Sequence, residues 1–131
     1  MNKINVVVLE DDQFFQIKLE SMLYGTEFQI IKMFENPKNL ENDLNTISVD
    51  LILSDVYIGK KPEGGDLIKR LSEKNMPIIC ITVSQEDKIY QELGQLVSGY
   101  LVKPFHKITL LSIMREAIKE HKKNQLFDFY R

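Results

Sequence analysis

Three kinds of side chain in this sequence could act together on a phosphoryl group. Carboxylates cluster at Glu10, Asp11 and Asp12, and another stands at Asp55. Thr82 offers a hydroxyl and Lys103 an ammonium. Carboxylates drawn to one place repel one another. Two outcomes relieve them: one takes up a proton, or a hard cation sits among them. An all-oxygen donor set with few protein ligands suits Mg²⁺ or Mn²⁺, which keep several waters and accept a phosphoryl oxygen. An ammonium is a point charge for a carboxylate or a phosphate oxygen. Cation, ammonium and hydroxyl together would neutralise the oxygens of a phosphoryl group in transfer. A carboxylate can be the nucleophile that receives it. Taken singly, each residue is ordinary. An Asp after a strand is most often a cap or turn residue, Glu10-Asp11-Asp12 also reads as a cap cluster on a helix dipole, and a lone Lys-Pro says almost nothing. Only joint placement gives them weight.

Placement depends on the elements between them. Short apolar runs recur at Ile4–Leu9, Phe28–Phe34, Leu51–Leu53, Ile78–Thr82 and Tyr100–Val102. Several are unbroken and rich in Val and Ile, as strands buried on both faces are. Between them lie helix-period segments. Phe15, Leu19, Met22 and Leu23 form a helical stripe. Asn36-Pro37 is a start signal for a short helix through about Asn45. Leu67, Ile68 and Leu71 side a third helix that ends near Asn75, since Met76 precedes Pro77. Ile89, Leu93, Leu96 and Val97 mark a fourth, opened by Ser84 with Asp87 three residues on. Leu110, Met114, Ala117 and Ile118 mark a fifth, from His106 to Lys123. Five strands alternating with five helices predict a doubly wound α/β fold with a parallel sheet and right-handed crossovers. Ligands then bind where the carboxyl ends of the strands gather. Glu10, Asp11 and Asp12 follow the first run, Asp55 the third, Thr82 ends the fourth, and Lys103-Pro104-Phe105 follows the fifth. Asp55, alone after the central strand, is the best-placed nucleophile.

Composition limits the alternatives. The chain has 131 residues, 44% apolar and 27% charged, which is one globular domain able to bury roughly two-thirds of its unfolded surface. One cysteine, Cys80, excludes an internal disulfide and a Cys-based zinc cage, and suits an inert core position. No apolar run approaches the ~20 residues of a membrane span, and the start lacks a small-residue cleavage site. A reducing, cytoplasmic setting follows as the expectation. Net charge is −2, unevenly placed: residues 1–60 carry 5 basic and 10 acidic groups, residues 61–131 carry 12 and 9. This gives no general pull toward nucleic acid. No Gly-x-Gly-x-x-Gly follows the first strand, which excludes dinucleotide binding on that signal.

The joint pattern resembles the receiver domain of two-component response regulators. The strings that carry it are VVVLEDD (6–12), LILSD (51–55), IICIT (78–82) and GYLVKPF (99–105). The resemblance covers about residues 3–121. It implies a flavodoxin-like five-stranded sheet of order 2-1-3-4-5, an order for which a receiver is the standard example. It implies that Asp55 accepts a phosphoryl group from a phosphohistidine on a histidine kinase or phosphotransfer protein. Glu10 and Asp11 would hold Mg²⁺ (or Mn²⁺) with Asp55 and the backbone carbonyl of Tyr57, and Asp12 is a further candidate through water. Lys103 would pair with the phosphoryl group and Thr82 would move to hydrogen-bond it. Tyr100 would turn inward as Thr82 moves. The partner face would be the fourth helix, fifth strand and fifth helix, where residues 103–131 hold 7 basic and 3 acidic side chains. Basic residues complementing a helix C-terminus account for Lys119, Lys122 and Lys123 equally well.

Some features depart from that family. Val83 follows Thr82 where receivers usually carry a small residue, so access to the site should narrow. Tyr57 stands two residues past the acceptor, where a phenol could shield an acyl phosphate or pack on Lys60 or Lys61. The segment 59–65 is about two residues long for the family, and its glycines are expected to supply turn conformations. Residues 1–123 are assigned to the receiver and 124–131 to an aromatic tail. That tail either continues the last helix and packs, or makes a dimer or partner contact, or begins a linker to an output domain. Two other classes compete. A receiver-like module that binds partners without phosphorylation would have no reason to keep the acids, Thr and Lys. A Mg²⁺-dependent phosphohydrolase usually needs a second acid where Tyr57 stands.

Overall fold

The computed structural model of the protein describes residues 2–84 and 88–129, with the side chains of 128 and 129 left out. The apolar runs become five strands: β1 (Ile4–Leu9), β2 (Phe28–Phe34), β3 (Leu51–Asp55), β4 (Ile78–Thr82) and β5 (Gly99–Val102). The periodic segments become α1 (Gln13–Leu23), α2 (Pro37–Asp43), α3 (Glu63–Leu71), α4 (Lys88–Glu92) and α5 (Lys107–Phe129). All strand pairs are parallel and the order is 2-1-3-4-5, as expected.

The unbroken apolar runs have a direct cause, since alternate residues of each strand feed opposite cores. Val6, Val8, Leu51, Leu53, Ile79, Ile81 and Leu101 face α1 and α5 through Leu19, Leu23, Leu110 and Met114. Val7, Leu9, Ile52, Ile78 and Cys80 face the other side through Leu40, Leu67, Ile68, Leu71 and Leu93. Helix ends follow local chemistry. Asp12 and Asn36 cap α1 and α2 by accepting backbone N–H groups. After α3, a short 3₁₀ turn (Ser72–Lys74) closes at Asn75, whose φ of 54° is left-handed.

Two helices differ from expectation. α4 spans only Lys88–Glu92; Leu93 is buried but Leu96 is exposed. Its hydrogen bonds tighten to three-residue spacing at Tyr90/Leu93 and Gln91/Gly94, and glycine is the weakest helix former in that segment. The expected Ser84–Asp87 cap lies in part outside the described residues. α5 runs on past Lys123 to Phe129. No Gly or Pro stands between 107 and 129 to stop it. Leu126 and Phe127 remain mostly exposed, so the tail continues the helix without burying them.

α5 is tied to the start of β2 by a two-pronged ion pair. Arg115 donates from Nε to Glu27 Oε2 at 2.8 Å and from Nη2 to Oε1 at 2.9 Å. The Arg115 hydrogen bonds, with help from the backbone, hold the Glu27 carboxyl down to about 2 from an ordinary 4.5. A lowered carboxyl stabilises the fold above its unfolded value and loses that contribution as pH falls through the folded one. Glu27→Gln should therefore flatten the fall in stability between about pH 4.5 and 2, read by denaturant midpoints across that range. An unchanged acid limb would show that the exposed pair contributes nothing.

Candidate functional site

Strand register alone gathers the site. Leu9 is level with Ser54, so Glu10 emerges beside Asp55. Asp55 is level with Ile81, and Thr82 with Val102, the residue before Lys103. Four side chains from four strand ends therefore lie in one row, at the edge where the order reverses between β1 and β3.

The row is buried and mostly acidic. Glu10 is fully buried, with Asp55 and Thr82 nearly so. Lys103 Nζ lies 2.6 Å from Glu10 Oε1 and 3.3 Å from Asp55 Oδ1. The Glu10 contact is a hydrogen bond. The Asp55 contact is an ion pair off the hydrogen-bonding line, so Asp55 Oδ1 is a buried oxygen with no hydrogen bond. Burial first, and then Glu10, push the Asp55 carboxyl up to about 9, with Lys103 pulling the other way. For Lys103 burial acts downward, but Asp55 and Glu10 outweigh it and its pKa rises. The site therefore relieves its crowding with one ammonium and one raised carboxyl.

Carboxylate oxygens of Glu10, Asp11 and Asp55 come within 4.8 Å of one another. Three hard carboxylate donors suit a small divalent cation, and Asp55 also carries a buried oxygen without a hydrogen bond. Asp12 caps α1: its Oδ1 accepts from Phe14 N at 2.9 Å and Phe15 N at 3.3 Å. Asp11 Oδ2 accepts from Gly59 N–H at 2.8 Å. That bond ties down the long β3–α3 loop, where Ile58 and Lys61 exchange backbone hydrogen bonds across a tight turn. Gly59 has a φ of 62°, the left-handed conformation that the turn requires.

Thr82 Oγ1 donates to Ser84 O at 3.2 Å, so its hydroxyl faces its own loop. The Tyr100 hydroxyl donates to the Gly94 carbonyl, and its ring lies 4.6 Å from that of Tyr90. Burial, with Tyr90 second, raises the Tyr100 pKa. Tyr57 is partly buried against the second core cluster. With Asp55, Ile81, Thr82, Val83 and Lys103 it lines a hollow of about 60 Å³. A larger hollow, about 750 Å³, lies at the opposite end of the sheet among Asn5, Asp50, Met76 and His121, away from every one of these groups.

Three features escaped the reading of the sequence. Gly64 and Gly65 supply no turn conformation; they lie in the first turn of α3, and only Gly59 of that loop has positive φ. Their purpose is close approach, since a Cβ on Gly64 would stand 1.7 Å from the Asp55 carbonyl oxygen. The Phe15 ring lies against Lys103. Asp11 is bound to the loop through Gly59. Phe15 was visible only as one member of a core stripe, and nothing in a glycine pair distinguishes a turn from a tight contact.

Val83 is 71% exposed at the mouth of the 60 Å³ hollow. Val83→Ala should speed phosphoryl gain from small donors, or its hydrolytic loss, or both, by several-fold. Timed intact-mass measurements read both rates, and no change in either sinks the idea.

A family model described as the response regulator receiver domain matches residues 6–115. The chain is 28% identical over 119 residues to the putative two-component response regulator ARR21 of Arabidopsis thaliana, covering 88% of this chain but only 19% of that protein. It is 25% identical to the chemotaxis protein CheY of Halobacterium salinarum, covering 86% and 95%. The signal receiver domain of a modulated diguanylate cyclase from Desulfovibrio desulfuricans superposes with a TM-score of 0.84 at 26% identity, covering 94% of this chain and 99% of that one.

Proposed function

Because the chain belongs to the response regulator receiver domain family, we propose that it is a signalling receiver that takes a phosphoryl group on Asp55 and changes a partner-binding face in response. The observation that carries this is the Asp55 carboxylate itself. Its Oδ1 is buried, lacks a hydrogen bond, lies 3.3 Å from the Lys103 ammonium and belongs to a cluster fit for a divalent cation.

The donor is a phosphohistidine on a histidine kinase or phosphotransfer protein. Asp55 gives up the proton its buried site favours, its oxygen forms the new P–O bond as the P–N bond breaks, and the donor imidazole takes up one proton and leaves neutral. Glu10, Asp11 and Asp55, with the Tyr57 carbonyl, would hold Mg²⁺ (or Mn²⁺). When bound, the cation neutralises phosphoryl oxygens and offsets the crowding of the carboxylates. Lys103 pairs with the incoming group. Thr82 turns its hydroxyl from Ser84 O toward it.

The partner face is α4, β5 and α5. The Tyr100 hydroxyl now holds the Gly94 carbonyl just past α4. Movement of Thr82 frees space toward which Tyr100 turns, releasing that bond. Shifting such a switch from 1:99 to 99:1 takes about 5.5 kcal/mol of differential interaction. The Thr82 and Lys103 contacts are its sources. Residues 1–123 form the receiver, and the aromatic segment 124–131 makes a dimer or partner contact. We assign no nucleic-acid site and a cytoplasmic setting; no helix among the described residues is long and apolar enough to cross a membrane.

The test is intact mass after incubation with Mg²⁺ and acetyl phosphate or phosphoramidate, beside Asp55→Asn. A gain of one phosphoryl group in the unsubstituted protein alone is the expected result. Absence of gain, with no structural response to beryllofluoride, would favour a module that works without phosphorylation.

A further inference from the structure

The Lys103 ammonium has a third neighbour besides its two carboxylates. Its Nζ lies 4.1 Å from the centroid of the Phe15 ring. That is well inside the ~6 Å over which a cation feels the negative face of an aromatic ring. Phe15 sits in the first turn of α1 and packs, partly buried, against the first core cluster. Its ring is held in turn by Phe105, two residues beyond the lysine. The two centroids are 5.5 Å apart and the planes meet at 85°, the edge-on arrangement that aromatic quadrupoles favour.

We propose that Phe15 is a positioning residue whose ring face holds the Lys103 ammonium against the Glu10 and Asp55 carboxylates, with Phe105 fixing the angle of that ring. A lysine side chain is long and loses much rotamer freedom when held in place. The two carboxylates bound the Lys103 ammonium at 2.6 and 3.3 Å, and the side chain is still 22% exposed. Water can reach part of the side chain, and on the α1 side the ammonium donors meet the Phe15 ring face. An aliphatic side chain at 15 would fill the volume but leave those donors facing hydrocarbon, which is costly. An aromatic face fills the volume and attracts the charge. α1 supplies the ring, and the segment after β5 supplies both the ammonium and the ring that braces it. The contact thus joins two elements that are far apart in sequence at the atom proposed to meet the phosphoryl group.

The effect on transfer rests on reading Lys103 as a phosphoryl contact; the contact itself does not. Three versions of position 15 separate shape from charge. Phe15→Tyr keeps the ring. Phe15→Leu keeps apolar bulk without a quadrupole. Pentafluorophenylalanine placed at 15 keeps the shape and reverses the quadrupole. Two readouts apply: the ring-current shift of the Lys103 ε-methylene protons by NMR, and the initial rate of phosphoryl gain from phosphoramidate with Mg²⁺. Phe15 and Phe15→Tyr should show the upfield shift, and Phe15→Leu should lose it. Transfer should slow about tenfold in the Leu and fluorinated proteins, as expected for one partly desolvated cation–π contact, and stay within about twofold in the Tyr protein. Unslowed transfer in both the Leu and fluorinated proteins, or no ring shift in the unsubstituted one, would overturn the proposal. If the unsubstituted protein gains no phosphoryl group, the receiver reading fails, and the NMR comparison alone decides the contact.

Discussion

Asp55→Asn is expected to raise the stability of the metal-free protein by about 1–3 kcal/mol near pH 7, while ending phosphoryl uptake. The carboxyl is buried beside Glu10, and its pKa rises from 3.8 to about 9 in the fold. The folded protein thus keeps a proton that the unfolded chain gives up near pH 4. For a carboxyl raised in this way, stability is greatest below the unfolded value and drains away as pH climbs toward the folded one. Full linkage at pH 7 would amount to roughly 4 kcal/mol; relaxation of the site and entry of water reduce it. Asparagine has nearly the same shape and no charge, so it removes the drain. Mg²⁺ should narrow the gap, because a bound cation offsets the same crowding and stabilises the unsubstituted protein by mass action. Denaturant unfolding in EDTA and in Mg²⁺, at pH 6 and pH 8, measures all four cases. A destabilised Asp55→Asn protein in EDTA would mean that Lys103 more than compensates the buried charge.

Gly64→Ala should have the largest structural effect of an alanine placed at any of the six glycines. The new Cβ would meet the Asp55 carbonyl oxygen at 1.7 Å, its carbon at 2.8 Å and the Val56 oxygen at 3.0 Å. These are backbone atoms at the end of the central strand, and they cannot yield as a side-chain tip can. Alanine favours a helix over glycine by about 1 kcal/mol. The clash overrides that gain, and a net loss of about 3 kcal/mol or more is expected. The end of β3 or the start of α3 must move, and Asp55 moves with it. Displacing a reacting group by an ångström costs on the order of 100-fold in rate, so phosphoryl gain should fall by at least that factor in whatever fraction stays folded. Gly65→Ala is the control. Its Cβ would meet the Cγ2 methyl of Ile89 at 2.9 Å, a side-chain atom on the five-residue α4 that can shift where the β3 backbone cannot, so its loss should be smaller. Equal effects at 64 and 65 would refute this reading of the contact.

The strands were legible because burial on both faces writes itself as unbroken Val and Ile. The four site strings were legible because each acid, hydroxyl or ammonium directly follows such a run. What stayed hidden was whatever depends on the approach of separate segments. Glu10-Asp11-Asp12 reads as a cap cluster in sequence, but which of the three acids caps α1 is set by where the helix starts, and it is Asp12. The glycines of the β3–α3 loop look alike in sequence, yet one bends the chain and two clear space. The extent of α4 was overestimated because Leu93, Leu96 and Val97 keep helical spacing, while Gly94 and three-residue hydrogen bonds turn the chain out of the helix. α5 was cut short at Lys123 because its aromatic end reads as a tail, although nothing there stops a helix.

The unbroken course of α5 has a mechanical meaning. Its 23 residues make a rod of about 34 Å. One end begins four residues after Lys103. The other carries Leu126 and Phe127 on exposed turns. A stiff rod multiplies angle into distance: tilting it by about 5° at the site end sweeps the far end through about 3 Å. An adjustment too small to disturb the packing of Leu110 and Met114 would thus arrive, at the aromatic end, as a displacement comparable to the width of an atom.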